Sequence, residues 1–291
     1  MSQSFDWKKA AQRAVGGGLP GAAAMLVQVL ALMWMRTAIN YQHARGLSMS
    51  EALAALYAEG GIPRFYQGVW AAVLQAPLSR FGDTAANAGV LQLLSNVNMP
   101  IAAKTLVASV AAALFRIAIS PVDTFKTMLQ VRGAEGLQLI MSRLASEGVI
   151  VLYAGAIASS VATLMGHYPW FIVYNYLQAT IPPATGIAKQ LRSAVIGFCS
   201  SACSDTVSNS VRVLKTATQT ATKPTSYLEA AQGIIATDGV RGLLFRGLTT
   251  KIISNGLQAM LFTVLWRYFE EKLAAYNKKN DEAATADAKK K

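Results

Sequence analysis

The sequence is poor in charge: Asp, Glu, Lys and Arg make up only 14% of its 291 residues, whereas hydrophobic residues make up 53%. So few charges, with a mean hydropathy of +0.33, indicate a membrane protein rather than a soluble domain. Acids are the scarcer charge, with 15 Asp and Glu against 27 Lys and Arg. Because the basic residues lie between apolar stretches, their excess predicts contact with anionic lipid and not with nucleic acid.

Cysteine and histidine are also rare, with two of each. Cys199 and Cys203 lie four residues apart without a neighbouring Cys/His cluster, so the sequence predicts no zinc site and no other metal or cofactor. It contains no phosphate-binding loop and no nucleophile–base pattern, which argues against an enzyme. Its first residues lack an apolar core behind their charges, so we expect any targeting signal to be internal.

Six apolar stretches are long enough to cross a bilayer as helices, which takes about 20 residues each. A shorter amphipathic segment, itself a predicted surface helix, lies within each successive pair, at residues 47–61, 136–148 and 226–239. The sequence therefore predicts an all-α membrane protein of one domain. A charged C-terminal tail, residues 273–291, follows the last stretch, and its final part is expected to be disordered on its own. The six predicted spans are residues 14–41, 69–94, 101–129, 156–180, 187–218 and 248–272.

Two short markers recur with a period of about 90 residues, as an internal repeat would. The first is an aromatic-x-Gly corner, which follows each surface segment. The second is a basic residue inside the first span of each pair. Their agreement predicts three repeats, at about residues 14–94, 101–180 and 187–272. The corners are Tyr66 with Gly68, Tyr153 with Gly155 and Phe245 with Gly247, and the basic residues are Arg36, Lys126 and Lys215.

The middle repeat carries the fullest motif, "SPVDTFKTMLQ" at residues 120–130, followed by Glu147, Gly148 and the Tyr153 corner. On these motifs the chain resembles the mitochondrial carrier family over residues 14–272. The resemblance implies six transmembrane helices in three pseudo-threefold repeats around a cavity, with each surface helix on the matrix side. It also implies the mitochondrial inner membrane, cardiolipin bound at the corners, and ion pairs between repeats that close the matrix end. An acid and a base within a span must in any case face a cavity and find partners.

The matrix-gate positions depart from the family pattern. Aligned on their basic residues, the repeats contribute Met33 with Arg36, Asp123 with Lys126, and Arg212 with Lys215. Asp123 can pair with Lys215, but Lys126 faces Met33 and is expected to be unpaired, and Arg212 faces Arg36 as a like charge. The cytoplasmic-gate positions do not form a bridge network either: they are Asn175, Gln178, Arg267 and Glu270, with apolar counterparts in the first repeat.

The resemblance also implies substrate-contact positions about seven residues beyond each corner glycine. The residues there are uncharged, although Arg80 and His167 lie one or two turns further on. His167 could titrate in the cavity, or it could simply form a hydrogen bond with a neighbour. The uncharged positions are Gln75, Ala76, Ala162, Thr163, Ser254 and Asn255.

The sequence leaves two main functions open. The gate positions favour a transport-defective protein that serves as an accessory or structural subunit of a larger inner-membrane assembly, such as a respiratory complex, a supercomplex or the ATP synthase. The alternative is an active carrier of a neutral or mixed-charge metabolite, bound through Gln75, Thr163 and Asn255. A third reading is an outer-membrane derivative that acts in protein insertion.

Overall fold

The computed structural model describes residues 23–94 and 97–288, and every regular element in these ranges is helical. The all-α prediction is therefore confirmed. A 3₁₀ turn, Val149–Tyr153, joins α6 to α7. The helices are α1 Ala23–Ala31, α2 Met33–Arg45, α3 Met49–Phe65, α4 Val69–Leu93, α5 Ile101–Ala118, α6 Ser120–Glu147, α7 Ala156–Thr180, α8 Gly186–Thr220, α9 Tyr227–Phe245 and α10 Leu248–Ala288.

By length and apolar composition, one described segment is able to cross a membrane alone, Val149–Thr180. Two bent pairs qualify if each pair is taken as one span: α1 with α2, bent by 57°, and α5 with α6, bent by 64°. The arrangement of six spans in three related repeats stays a prediction.

The bend between α5 and α6 has a cause in the sequence. Pro121 lies in the first turn of α6, where its missing N–H removes no hydrogen bond from the helix. Proline therefore starts a new helix here instead of kinking the interior of a continuous one. The α1–α2 break at Leu32 has no proline beside it, and nothing in the structure explains it.

The predicted surface segments are helical, and two of them begin with a capping box. The Glu229 carboxylate accepts a hydrogen bond from the Ser226 backbone N–H at 2.8 Å, and Ser226 Oγ accepts one from the Glu229 N–H at 3.2 Å. Ser48 and Glu51 form the same pair at the start of α3. The middle segment is instead continuous with α6, which Gly133 breaks with a φ of +64°.

The C-terminal tail differs from expectation, because α10 continues as a helix to Ala288. Ala and Lys, which are frequent in this tail, have high intrinsic helix propensity. A segment that extends an existing helix also avoids the cost of nucleating a new one. Composition alone therefore underestimated the order of this tail.

The long helices enclose a central space. Helices α2, α6 and α8 contact one another, α4 packs on α5 and α6, α7 packs on α5 and α8, and α10 packs on α8 and α2. Large apolar side chains such as Trp70, Leu106 and Ile157 point outwards, each more than half exposed. That outer surface is suited to lipid.

We expect Ser226→Ala to lower the free energy of unfolding by about 1 kcal/mol, because the first turn of α9 loses its side-chain cap. Chemical denaturation of the purified protein in detergent would measure the change. Ser142→Ala, at an exposed position within α6, is the matched control and should have little effect. An equal loss in both variants would contradict the capping role.

The same cap should depend on pH. Hydrogen bonds from the backbone and side chain of Ser226 hold the pKa of Glu229 below its usual value. A carboxyl with a lowered pKa in the folded state stabilises that state above its unfolded pKa, and the contribution disappears as the pH falls through the folded value. The stability that this cap contributes should therefore fall when the denaturation is repeated at acidic pH, and Glu229→Gln, which cannot ionise, should lose that pH dependence.

Candidate functional site

A cavity of about 300 Å³ lies between the long helices. Its lining is strongly cationic, and it includes both histidines of the chain, His43 and His167. Of the described side chains, Asp123 is the one lining carboxylate. An anion placed here would meet several cations in a region of low dielectric constant. The lining cations are Arg36, Arg116, Lys126, Arg212, Lys215 and Lys251.

Asp123 is the centre of the cluster at the predicted matrix gate. One of its carboxylate oxygens accepts a hydrogen bond from Lys126 Nζ at 2.8 Å. The other oxygen pairs with Lys215 of α8 and accepts a hydrogen bond from Gln219 Nε2 at 3.3 Å. The residue is only 5% exposed. One carboxylate thus pairs with two lysines on two helices.

The expectation that Lys126 lacks a partner is therefore wrong. Asp123 lies three residues earlier on the same helix, and side chains at that spacing are neighbours. Lys126 also donates to Gln75 Oε1 of α4 at 3.3 Å. Counting between repeats missed these contacts, because one is within α6 and the other runs to a residue outside the gate motif.

The remaining gate positions bind neutral groups. Arg36 donates a hydrogen bond to Gln258 Oε1, and Arg212 Nε donates one to Ser208 Oγ at 3.2 Å. Each of the two arginines that were expected to face each other thus has a neutral polar partner. Met33 is fully buried against Val29 and Ala72. It therefore packs in the helix interface, where an acid in the family pattern would face the cavity.

An amide pair joins α2 to α6 about one helical turn beyond the basic gate positions. Asn40 Nδ2 donates to Gln130 Oε1 at 2.5 Å. Asn40, Gln130 and Gln219 each lie four residues after the basic gate residue of their repeat. Among the described residues, the ion pair that links one of these three helices to another is that of Asp123 in α6 with Lys215 in α8.

Of the described cytoplasmic-gate positions, Gln178 bonds to a residue outside the gate motif. Gln178 accepts a hydrogen bond from Arg192 at 2.5 Å and donates to the Tyr174 hydroxyl at 3.0 Å, which ties the end of α7 to the start of α8. Asn175 is exposed. The side chains of Arg267 and Glu270 lie outside the described part of the structure.

The structure brings five of the predicted contact residues to the cavity: Gln75, Ala162, Thr163, Asn255 and His167. His167 Nδ1 lies 2.9 Å from Ser109 Oγ, so this histidine forms the hydrogen bond that the sequence left open.

Two of the described contact positions do not line the cavity. Ala76 packs against the Val29 cluster, and Ser254 is fully buried and accepts a hydrogen bond from Gln258 at 2.9 Å. The side chain of Arg80 is not among those described.

Three charged residues of the site were missed by the motif alignment. Arg116 and Lys251 line the cavity, and Asp205 binds two lining residues, Lys251 and Asn255. Arg116 and Asp205 each lie seven residues before an aligned gate position, Asp123 and Arg212. Seven residues are about two helical turns, so Asp205 falls on the same face of α8 as Arg212. Arg116 lies near the end of α5, across the bend from Asp123 in α6. Charge inside an apolar span was the signal that could have identified them.

A sequence profile of the mitochondrial carrier protein family matches residues 97–184 and 188–277, which together are more than half of the chain. The chain belongs to the mitochondrial carrier family. Its members are transporters of the membrane, and the matched segments are two successive repeats. A mitochondrial carrier-like protein of Acanthamoeba polyphaga mimivirus is 24% identical over 155 residues, which are 53% of this chain and 62% of that protein. The resemblance drawn from the motifs is thus confirmed.

The corner glycines of this carrier lie against the gate helices. Gly68 and Gly155 have φ of +83° and +77°, in the left-handed region that favours glycine. A Cβ at Gly68 would lie 3.1 Å from the Lys126 carbonyl oxygen, and one at Gly155 would lie 3.1 Å from that of Lys215. The third corner, Gly247, instead meets the ring of His43. Each corner directly precedes a long helix, as the cardiolipin prediction requires, but lipid binding itself stays a prediction.

We expect Asp123→Asn to be more destabilising than either Lys126→Gln or Lys215→Gln. Removing the carboxylate leaves two buried lysines without their anion, and such a loss typically costs about 3 to 5 kcal/mol. Removing one lysine leaves Asp123 paired with the other. Denaturation of the three purified variants gives the order, and equal losses would argue against a shared carboxylate.

We expect Gly155→Ala to be more destabilising than Gly186→Ala. Both glycines have positive φ, but a Cβ at Gly155 would lie 2.7 Å from Gln219 Cγ, whereas one at Gly186 has no atom within 4 Å. Gly186→Ala is the control, because it introduces only backbone strain. Gly155→Ala introduces the same strain and also a clash with α8. Thermal unfolding of both proteins in detergent would show the difference, and equal midpoints would contradict the close packing.

Proposed function

We propose that this carrier binds a small anionic solute in its central cavity and moves it across the mitochondrial inner membrane. The observation that supports the proposal is the charge of the lining: six cations, against Asp123 and the adjoining Asp205 among the described side chains. Cations inside a membrane protein are costly unless an anion or hydrogen-bond acceptor satisfies them. An anionic solute would balance the excess positive charge of the lining.

The size and neutral groups of the cavity suit a small metabolite. Its volume of about 300 Å³ is at the low end for a ligand site. Gln75, Thr163 and Asn255 add hydrogen-bonding groups at the predicted contact positions. The cationic lining favours an anion over the neutral or mixed-charge metabolite that those positions alone suggest.

The gate offers a route from binding to movement. Lys126 and Lys215 face the cavity while both hold Asp123. An anion that reaches them competes with Asp123, and it weakens the ionic link between α6 and α8. A ligand shifts a conformational equilibrium only by its difference in affinity for the two states, and this competition provides such a difference.

A second candidate is an accessory subunit without transport, located in a larger inner-membrane assembly such as a respiratory complex, a supercomplex or the ATP synthase. The observation that favours it is that, among the described residues, a single ion pair links one of the helices α2, α6 and α8 to another. In this reading the amide pair of Asn40 with Gln130 holds the helices together permanently. Cardiolipin at the three corners would belong to either function.

Reconstitution of the purified chain into cardiolipin-containing liposomes tests the first proposal. We expect saturable uptake of at least one labelled anion from a panel of inorganic phosphate, di- and tricarboxylates and nucleotides. Arg212→Gln should reduce uptake about tenfold or more, because a charged hydrogen-bond partner of the anion is lost. Lys189→Gln, an equal charge change at an exposed position of the same helix, should leave uptake unchanged.

The accessory function predicts the opposite result. Absence of uptake for every anion, with release from the membrane in mild detergent only as part of a stoichiometric large complex, would reject the carrier function and support the accessory one. Equal loss in Arg212→Gln and Lys189→Gln would show that the cavity charge is irrelevant.

A further inference from the structure

Asp205 forms a second carboxylate centre, separate from that of Asp123. It lies in α8 and is 5% exposed. Its Oδ1 lies 3.4 Å from Lys251 Nζ, and its Oδ2 accepts a hydrogen bond from Asn255 Nδ2. Both partners belong to α10, so this carboxylate joins α8 to α10 at the level of a predicted contact position.

The partners of Asp205 are also the groups that an anionic ligand would use. Lys251 and Asn255 line the cavity, as does Arg212 two turns along α8 from Asp205. The Lys251 contact is the longest of the ion pairs between described residues, whereas Lys126 meets Asp123 at 2.8 Å. The longer distance indicates that Asp205 binds Lys251 less tightly than Asp123 binds Lys126.

We propose that Asp205 is a specificity-determining residue, an internal counter-ion that holds Lys251 and Asn255 until a ligand anion replaces it. The inference rests on the proposed binding of an anion, and it adds a limit on the ligand's charge. Once displaced, the carboxylate stays close to the ligand and repels it. Because Coulomb repulsion grows with the ligand's charge, Asp205 selects against the more highly charged anions.

Titration calorimetry on the purified full chain tests the inference with three carboxylates of rising charge: butyrate, succinate and propane-1,2,3-tricarboxylate. We expect Asp205→Asn to tighten binding of the trianion by about tenfold or more, with a smaller gain for succinate and the smallest for butyrate. Glu135→Gln removes an acid at an exposed position of α6 and is the charge-matched control. Asp205→Glu should keep the wild-type order of affinities.

A double-mutant cycle asks whether Asp205 acts through Lys251. We expect Lys251→Gln to weaken binding of the trianion, and Asp205→Asn to give a smaller gain in that background than in the wild type, because the two side chains are coupled. A merely structural role for Asp205 would change the affinities of the three anions by a common factor. Asp205→Ser provides a second neutral variant should the asparagine variant not fold.

The outcomes separate this inference from the proposed function. If the wild type binds the anions, and both neutral variants bind them with unchanged or weaker affinity, the role of Asp205 is overturned while the proposed function stands. An equal gain for all three anions, or for Glu135→Gln as well, would also overturn it. Absence of binding in every variant would overturn the anion-binding function together with this inference.

Discussion

The arrangement of the site depends on one buried carboxylate, that of Asp123, held by Lys126 and Lys215. Without this acid, two largely buried positive charges would have no ionic partner, which is costly. Since the two lysines lie on α6 and α8, the triad also fixes how these helices meet. It leaves one positive charge in excess, which adds to the cationic lining of the cavity.

Where ionic gates are missing, arginines hold successive helices through backbone carbonyls. Buried Arg64 donates to the carbonyl oxygens of Gln130 and Val131, both at 2.9 Å, beside the break of α6. Arg132 reaches the Thr220 carbonyl at 2.6 Å, at the last residue of α8. Carbonyls at a helix end lack intrahelical donors and carry partial negative charge, so a cation suits them. The fold is thus held by helix-end contacts that no acid–base alignment would reveal.

Local features of the fold could be predicted from the sequence, whereas contacts between side chains of different helices could not. The capping serines, the corner glycines and the 90-residue period could be read directly, because each depends on a few neighbouring residues. Asp123, the ionic partner of Lys126, lies on the same helix, and a comparison confined to pairs between repeats could not include it. Asp205 was missed for a related reason: it lies seven residues before the aligned position, and only the folded α8 and α10 bring it to Lys251.

The shared carboxylate and the cationic cavity have a common cause, the scarcity of acidic residues at the gate positions. In a gate with a separate acid for each base, a ligand must break several independent ion pairs, and each lysine is satisfied before the ligand arrives. Here two lysines divide one acid, so an anion with two negative charges offers them more than Asp123 does. The shortage of acids that weakens the gate therefore also makes the cavity more receptive to anions. The presence of Met33 and Arg212 at the positions equivalent to Asp123 accounts for both properties.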